Sequence, residues 1–166
     1  MKTAYKYSIR HSGLSLGEHR FTFPIESGFM EMYGYEPMSY NLNVDVVMNK
    51  LDRMMELNFH ISGEIQVLCD RCNEEMNYPI AGTNRIFIKY GNTFREESDE
   101  MYIIPEDSGD YDLGPLLYEF IVLAIPYRFT HPIKEDGMPD CNPEALKWIQ
   151  NYSTQEKETD LQTINH

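Results

Sequence analysis

Cys69-Asp70-Arg71-Cys72 is the one compact stretch of this sequence whose residue types and spacing could do chemistry. Two thiolates separated by two residues can grip a single metal ion, because a tight turn points both sulfurs to the same side. A tetrahedral site needs two further ligands, and His131 and Cys141 are the candidates, lying between two expected helices. Three cysteines and one histidine would hold a structural zinc and tie that segment to the end of the preceding β region. Two other readings stand beside zinc. One is a knuckle-like turn with unliganded thiols, towards which a bare CxxC leans. The other is a redox pair, which needs a strand–CxxC–helix context and an acidic thiol. Here the flanking pattern is β, Asp70 between the thiols opposes thiolate formation, and Arg71 favours it.

The remaining polar residues carry weaker signals. His11, His19, His60 and His166 have no evident sequence partners, and His60 falls on the wet face of an alternating run between Phe59 and Ile61. Between Arg95 and Asp112 there are eight carboxylates. They lack the Asp-x-Asp-x-Asp-Gly spacing of a calcium loop, so a solvated acidic segment is expected. Phosphate-loop, dinucleotide and nucleophile-elbow patterns are absent. No Ser–His or Cys–His pair is set by local sequence for nucleophilic attack, so no catalytic residue is assigned.

The elements that must position the thiols are strands. Tyr5, Tyr7 and Ile9 alternate with other residues, and so do Phe21, Phe23 and Ile25; Leu42, Val44 and Val46; Leu57, Phe59 and Ile61; Ile65 and Val67; and Ile86, Ile88 and Tyr90. A period of two with Gly and Pro punctuation predicts an antiparallel meander, as a partly closed barrel or a sandwich. Gly63 allows either a bend within one long strand or the tip of a hairpin. Met101–Ile104 reads as an edge strand inside the acidic segment. A helix is expected after Asp112, with Pro115 in its first turn, and it ends at Pro126. A second starts at Asn142–Pro143 and contains Ala145, Leu146, Trp148 and Ile149. The expected fold class is α+β, with two helices packed on the sheet. One domain over 1–152 and a polar, disordered tail over 153–166 complete the layout.

Charge bounds the partners. The chain has 27 acidic residues against 14 Lys and Arg, a net charge of −13. Neutralising phosphates takes Lys and Arg, so a general phosphate binder is excluded, while a local basic patch or a basic protein partner remains open. The 42% apolar share is too high for a disordered chain. Three cysteines are too few for a disulfide scaffold, Met1–Leu14 has no apolar run of the signal-peptide type, and Phe120–Pro126 is far too short to span a bilayer. A cytoplasmic location is expected.

Taken in order, Val67-Leu68-Cys69-Asp70-Arg71-Cys72, Tyr78-Pro79-Ile80, Tyr111-Asp112-Leu113, Leu116-Leu117-Tyr118-Glu119, Leu123-Ala124-Ile125-Pro126, His131 and Cys141 resemble the YceD family, the large ribosomal RNA subunit accumulation proteins. Asp140-Cys141-Asn142-Pro143 before the last helix resembles the Bacteroidetes-type members. The resemblance covers most of Gly13 to Trp148. It implies a cytoplasmic, non-enzymatic protein that affects synthesis, processing or stability of 23S ribosomal RNA. The implied partners are the large-subunit precursor, its RNA or a basic ribosomal protein. Lys50, Arg53, Arg71, Arg85, Lys89 and Arg95 are the candidate contact residues: clustering on one face would support direct RNA contact, and scatter would favour a protein partner.

Overall fold

The alternation in the sequence becomes strands with every second side chain buried. The computed structural model describes residues 6–152. The order is β1 (Ser8–Arg10), β2 (Gly17–Ile25), α1 (Phe29–Met32), β3 (Ser39–Lys50), β4 (Met54–Leu68), β5 (Glu75–Gly91), β6 (Arg95–Ser98), β7 (Met101–Pro105), β8 (Asp110–Asp112) and α2 (Gly114–Ala124). A further helix, α3, covers 143–152. Six strands form one sheet in the order β2-β3-β4-β5-β7-β6, while β1 and β8 pair antiparallel by themselves. The class is α+β as expected, and the sheet is mostly antiparallel and open rather than closed. Tyr5, His166 and the expected tail over 153–166 lie outside the described residues.

The chain divides into two compact units, each taken here over its described residues. The first is Met1–Ile65 with Pro79–Pro126, and the second is Gln66–Tyr78 with Tyr127–His166. Residues of β4 and β5 belong to both.

In the first unit the core is the inward face of the sheet. Val44, Val46, Leu57, Phe59, Ile86 and Ile88 are all fully buried. The α2 helix covers this face, and the Phe120 ring meets Phe59 edge-on at 5.0 Å between centroids. Gly82 of β5 permits the close approach of that helix, since a β-carbon there would come within 3.0 Å of the Ala124 methyl. Asp112 does what its position promised: its Oδ1 accepts from the Gly114 amide at 2.9 Å. The helix stops at Ile125, which is extended because Pro126 follows it.

Two features depart from the sequence reading. The segment 95–112 is mostly strand, and Met101–Ile104 is not an edge. β7 lies between β5 and β6, parallel to β5 with Phe87 opposite Met101 and antiparallel to β6. The alternation within a run of five residues shows its faces but not its neighbours. The four-residue helix α1 was also not visible, being shorter than any helical period can reveal.

Gly63 is resolved by the structure. β4 runs unbroken through it, so it is not a hairpin tip. Its φ is +135°, and a β-carbon would collide with the Asn41 carbonyl oxygen and lie 2.9 Å from Leu42 Cα on β3. Backbone crowding of that kind admits only glycine. Gly63→Ala is expected to destabilise the protein by more than about 2 kcal/mol. Chemical denaturation checks this: an unchanged midpoint would mean that β3 can yield.

Candidate metal centre

All four thiol and imidazole candidates lie in the second unit. Cys69 and Cys72 sit in the turn between β4 and β5. The Cys69 amide donates to the Glu74 carbonyl at 2.8 Å and the Asn73 amide to the Cys69 carbonyl at 2.8 Å. Asn73 takes a left-handed conformation, φ 59°, which asparagine tolerates better than most residues. The turn thereby brings both sulfurs to one side and lets the Arg71 amide donate to Cys69 Sγ at 3.4 Å.

His131 and Cys141 are ten positions apart in sequence, and a small hairpin brings them side by side. Ile133 bridges Pro139, the Lys134 amide donates to the Met138 carbonyl at 2.8 Å, and the Asp140 amide donates to the Pro132 carbonyl at 2.9 Å. The Lys134 ammonium reaches Asp140 at 2.9 Å. Two clamps then join this segment to the knuckle. Asp70 donates its amide to the Phe129 carbonyl and accepts from the Phe129 amide on Oδ2, both at 2.7 Å. At the other end Asn142 Nδ2 donates to Glu74 Oε1 at 2.7 Å. Asn142 Oδ1 also accepts from the Glu144 amide, capping α3.

The result is a cluster of Cys69, Cys72, His131 and Cys141 whose ligand atoms all lie within 4.8 Å of one another. Cys69 Sγ is 3.9 Å from Cys141 Sγ. His131 Nδ1 is 3.4 Å from Cys72 Sγ and 3.6 Å from Cys141 Sγ. A tetrahedron built on Zn–S of about 2.3 Å and Zn–N of about 2.0 Å has S···S edges of about 3.8 Å and S···N edges of about 3.5 Å. The donor set and its spacing are therefore compatible with zinc.

Burial pushes the Cys69 thiol up, but backbone donors from Cys72, Arg71 and His131, with the Cys72 thiol, outweigh it and bring it down to about 6. Burial and the neighbouring Cys72 and Cys69 thiols push Cys141 the other way, against a contact from Arg71 Nη1 at 3.9 Å.

Among the six candidate contact cations, three face carboxylates. Arg85 faces Glu56 at 3.9 Å, Lys89 reaches Glu97 at 3.9 Å, and Arg95 pairs with the same Glu97 at 2.8 Å. Arg71 belongs to the knuckle. Lys50 and Arg53 flank the turn between β3 and β4. His11, which showed no partner in the sequence, is only 2% exposed. Its ring lies between Tyr90 Oη, 3.3 Å from Nδ1, and Ser108 Oγ, 3.4 Å from Nε2. Burial and the Lys50 charge hold its pKa below the usual imidazole value, against Asp110. Those partners are 79 and 97 positions away, so no local signal could have disclosed them.

By sequence alone Asp70 is a carboxylate that opposes thiolate formation. The structure gives it a further role, as the two-point anchor of Phe129. Asp70→Ala is expected to cost about 1 kcal/mol and Asp70→Asn less, since the amide oxygen can still accept. Thermal unfolding of both variants tests this, and equal loss in the two would refute the anchor.

Comparison with known proteins completes the site. The model of the family described as "Large ribosomal RNA subunit accumulation protein YceD" matches residues 57–163. A curated relative, "Uncharacterized protein YlbN" of Bacillus subtilis (strain 168), is 29% identical over 111 residues, which is 66% of this chain and 61% of the relative. The chain thus spans somewhat under two thirds of that relative's length. No solved structure matches significantly. Among the described residues, no helix is long and apolar enough to cross a membrane.

Proposed function

Because the chain belongs to the YceD family, the large ribosomal RNA subunit accumulation proteins, we propose that it is a non-enzymatic accessory factor of ribosome biogenesis. On this reading it acts in the cytoplasm on the synthesis, processing or stability of 23S ribosomal RNA. The observation that carries the reading is the family match over residues 57–163. That match covers the knuckle, the hairpin and α2 together.

The mode of contact follows from charge. Three of the six candidate cations are engaged with carboxylates, which favours a basic protein partner for the acidic segment Glu96–Asp112. RNA contact, where it occurs, is confined to a local site, because a −13 chain gains no general counterion-release affinity. Affinity capture from cells at two salt concentrations, with and without ribonuclease, tests the reading. Association with large-subunit precursors is expected to survive ribonuclease and to weaken with salt. Absence of any precursor association would refute it.

Cys69, Cys72, His131 and Cys141 would hold one structural zinc, whose chemistry is to lock the knuckle and the hairpin together. The motif leads from strand into turn into strand, not into a helix, so a thioredoxin-like redox pair is not favoured. Metal analysis of protein purified without chelator is expected to find about one zinc per chain. Cys141→Ser is expected to lower metal retention and thermal stability. A stoichiometry near zero would sink the assignment.

A further inference from the structure

The first unit contains an open pocket of about 570 Å³, within the usual size for a small-molecule site. Lys50, Asp52, Arg53 and Glu106 line it, together with the Tyr90–His11–Ser108 chain. Its wall is built rather than accidental. Lys50 Nζ donates to the His11 carbonyl at 2.9 Å and to the Leu14 carbonyl at 2.8 Å. The ammonium is thus held in place with one of its three N–H donors left over. The neutral His11 ring spans Tyr90 and Ser108, and Ser108 Oγ donates onward to the Pro105 carbonyl at 2.7 Å. That chain leaves the buried imidazole satisfied and the pocket floor rigid.

The charges at the rim are different: they are exposed, and among the described residues none of them is in an ion pair. Among the described residues, the Arg53 guanidinium and the Asp52 and Glu106 carboxylates enter none of the ion pairs that neutralise Arg85, Lys89 and Arg95. An immobilised ammonium beside a free guanidinium is a seat for a phosphate. Free carboxylates next to it would repel a bare anion, so the ligand must also bring hydrogen-bond donors. A ribonucleotide does so: its phosphate suits Lys50 and Arg53, and its ribose hydroxyls suit Asp52 and Glu106. Carboxylates are established partners of the ribose 2′-hydroxyl, the group that separates RNA from DNA.

We propose that this pocket binds a single ribonucleotide, with the phosphate on Lys50 and Arg53 and the 2′-hydroxyl on Asp52 or Glu106. The inference deepens the ribosomal reading above by naming its local RNA site, and it rests on that reading for its biological setting only. A pocket of this size seats one nucleotide, so it fits an acidic protein that cannot track a backbone.

Fluorescence polarisation with a labelled oligoriboadenylate of six nucleotides, its deoxy counterpart, and calorimetry with adenosine 5′-monophosphate form the test. The ribo-oligomer is expected to bind at least tenfold more tightly than the deoxy-oligomer. Log affinity should fall against log salt with a slope of about −0.7, the value for one seated phosphate on a single strand. Arg53→Ala is expected to weaken binding at least fivefold, and Asp52→Ala combined with Glu106→Ala, which leaves no side-chain acceptor at either position, to erase the preference for RNA. Arg20→Ala, far from the pocket in sequence and engaged with Glu18, serves as the control. Binding of adenosine 5′-monophosphate alone would assign a free nucleotide, and binding of the oligomer only would assign a nucleotide within a strand. No binding of either probe, equal affinity for RNA and DNA, a slope several times steeper, or no effect of Arg53→Ala would each overturn the pocket. Capture of large-subunit precursors by the Arg53→Ala protein separates the two proposals, since it persists if only the pocket is wrong.

Discussion

One apolar sheet face, covered by one helix, sets the rest of the first unit. Leu57, Phe59 and Ile61 of β4 point to the same side as Val44 and Val46 of β3 and Ile86 and Ile88 of β5, and all are buried. A slip of one residue in any of these strands would turn its apolar set to water, so burial pins the register. Register in turn decides which residues face out, and hence that Arg85 and Lys89 come to stand beside Glu56 and Glu97. The same constraint makes Gly63 necessary. Only a residue without a β-carbon lets β4 pass the β3 backbone at Asn41 and continue to Leu68, where the knuckle begins.

In the second unit the organising groups are polar. The thiols and the imidazole meet because neighbouring side chains clamp distant segments: Asp70 Oδ2 accepts from the Phe129 amide, and Asn142, which caps α3, donates to the Glu74 carboxylate. The spacings of 3.9, 3.4 and 3.6 Å are close to the edges of a zinc tetrahedron.

The net charge of −13 acquires a distribution. Eight of the carboxylates lie between Arg95 and Asp112, and two of them are placed along β6, where Glu97 meets both Lys89 and Arg95. Cations spent in this way offer little to a nucleic acid. In the Lys50–Arg53 turn one cation is tied to carbonyls rather than carboxylates, and among the described residues the other enters no ion pair.

Much of this was legible in the sequence. Period-two alternation disclosed the strands and their mostly antiparallel pairing, because burying one sheet face requires that alternation, whereas the partly closed barrel or sandwich expected from it is an open sheet. Asp112, Pro115 and Pro126 marked the limits of α2, because caps and prolines act on adjacent backbone. The four cluster residues could be named, because cysteine and histidine are rare and their chemistry is specific. Tertiary structure alone decided the passage of β4 through Gly63, the interior position of β7, the pairing of Arg85, Lys89 and Arg95 with carboxylates, the burial of His11 and the hairpin that sets His131 beside Cys141. Each of these depends on groups brought together from distant positions, and a linear pattern records what a residue is without recording what will lie against it.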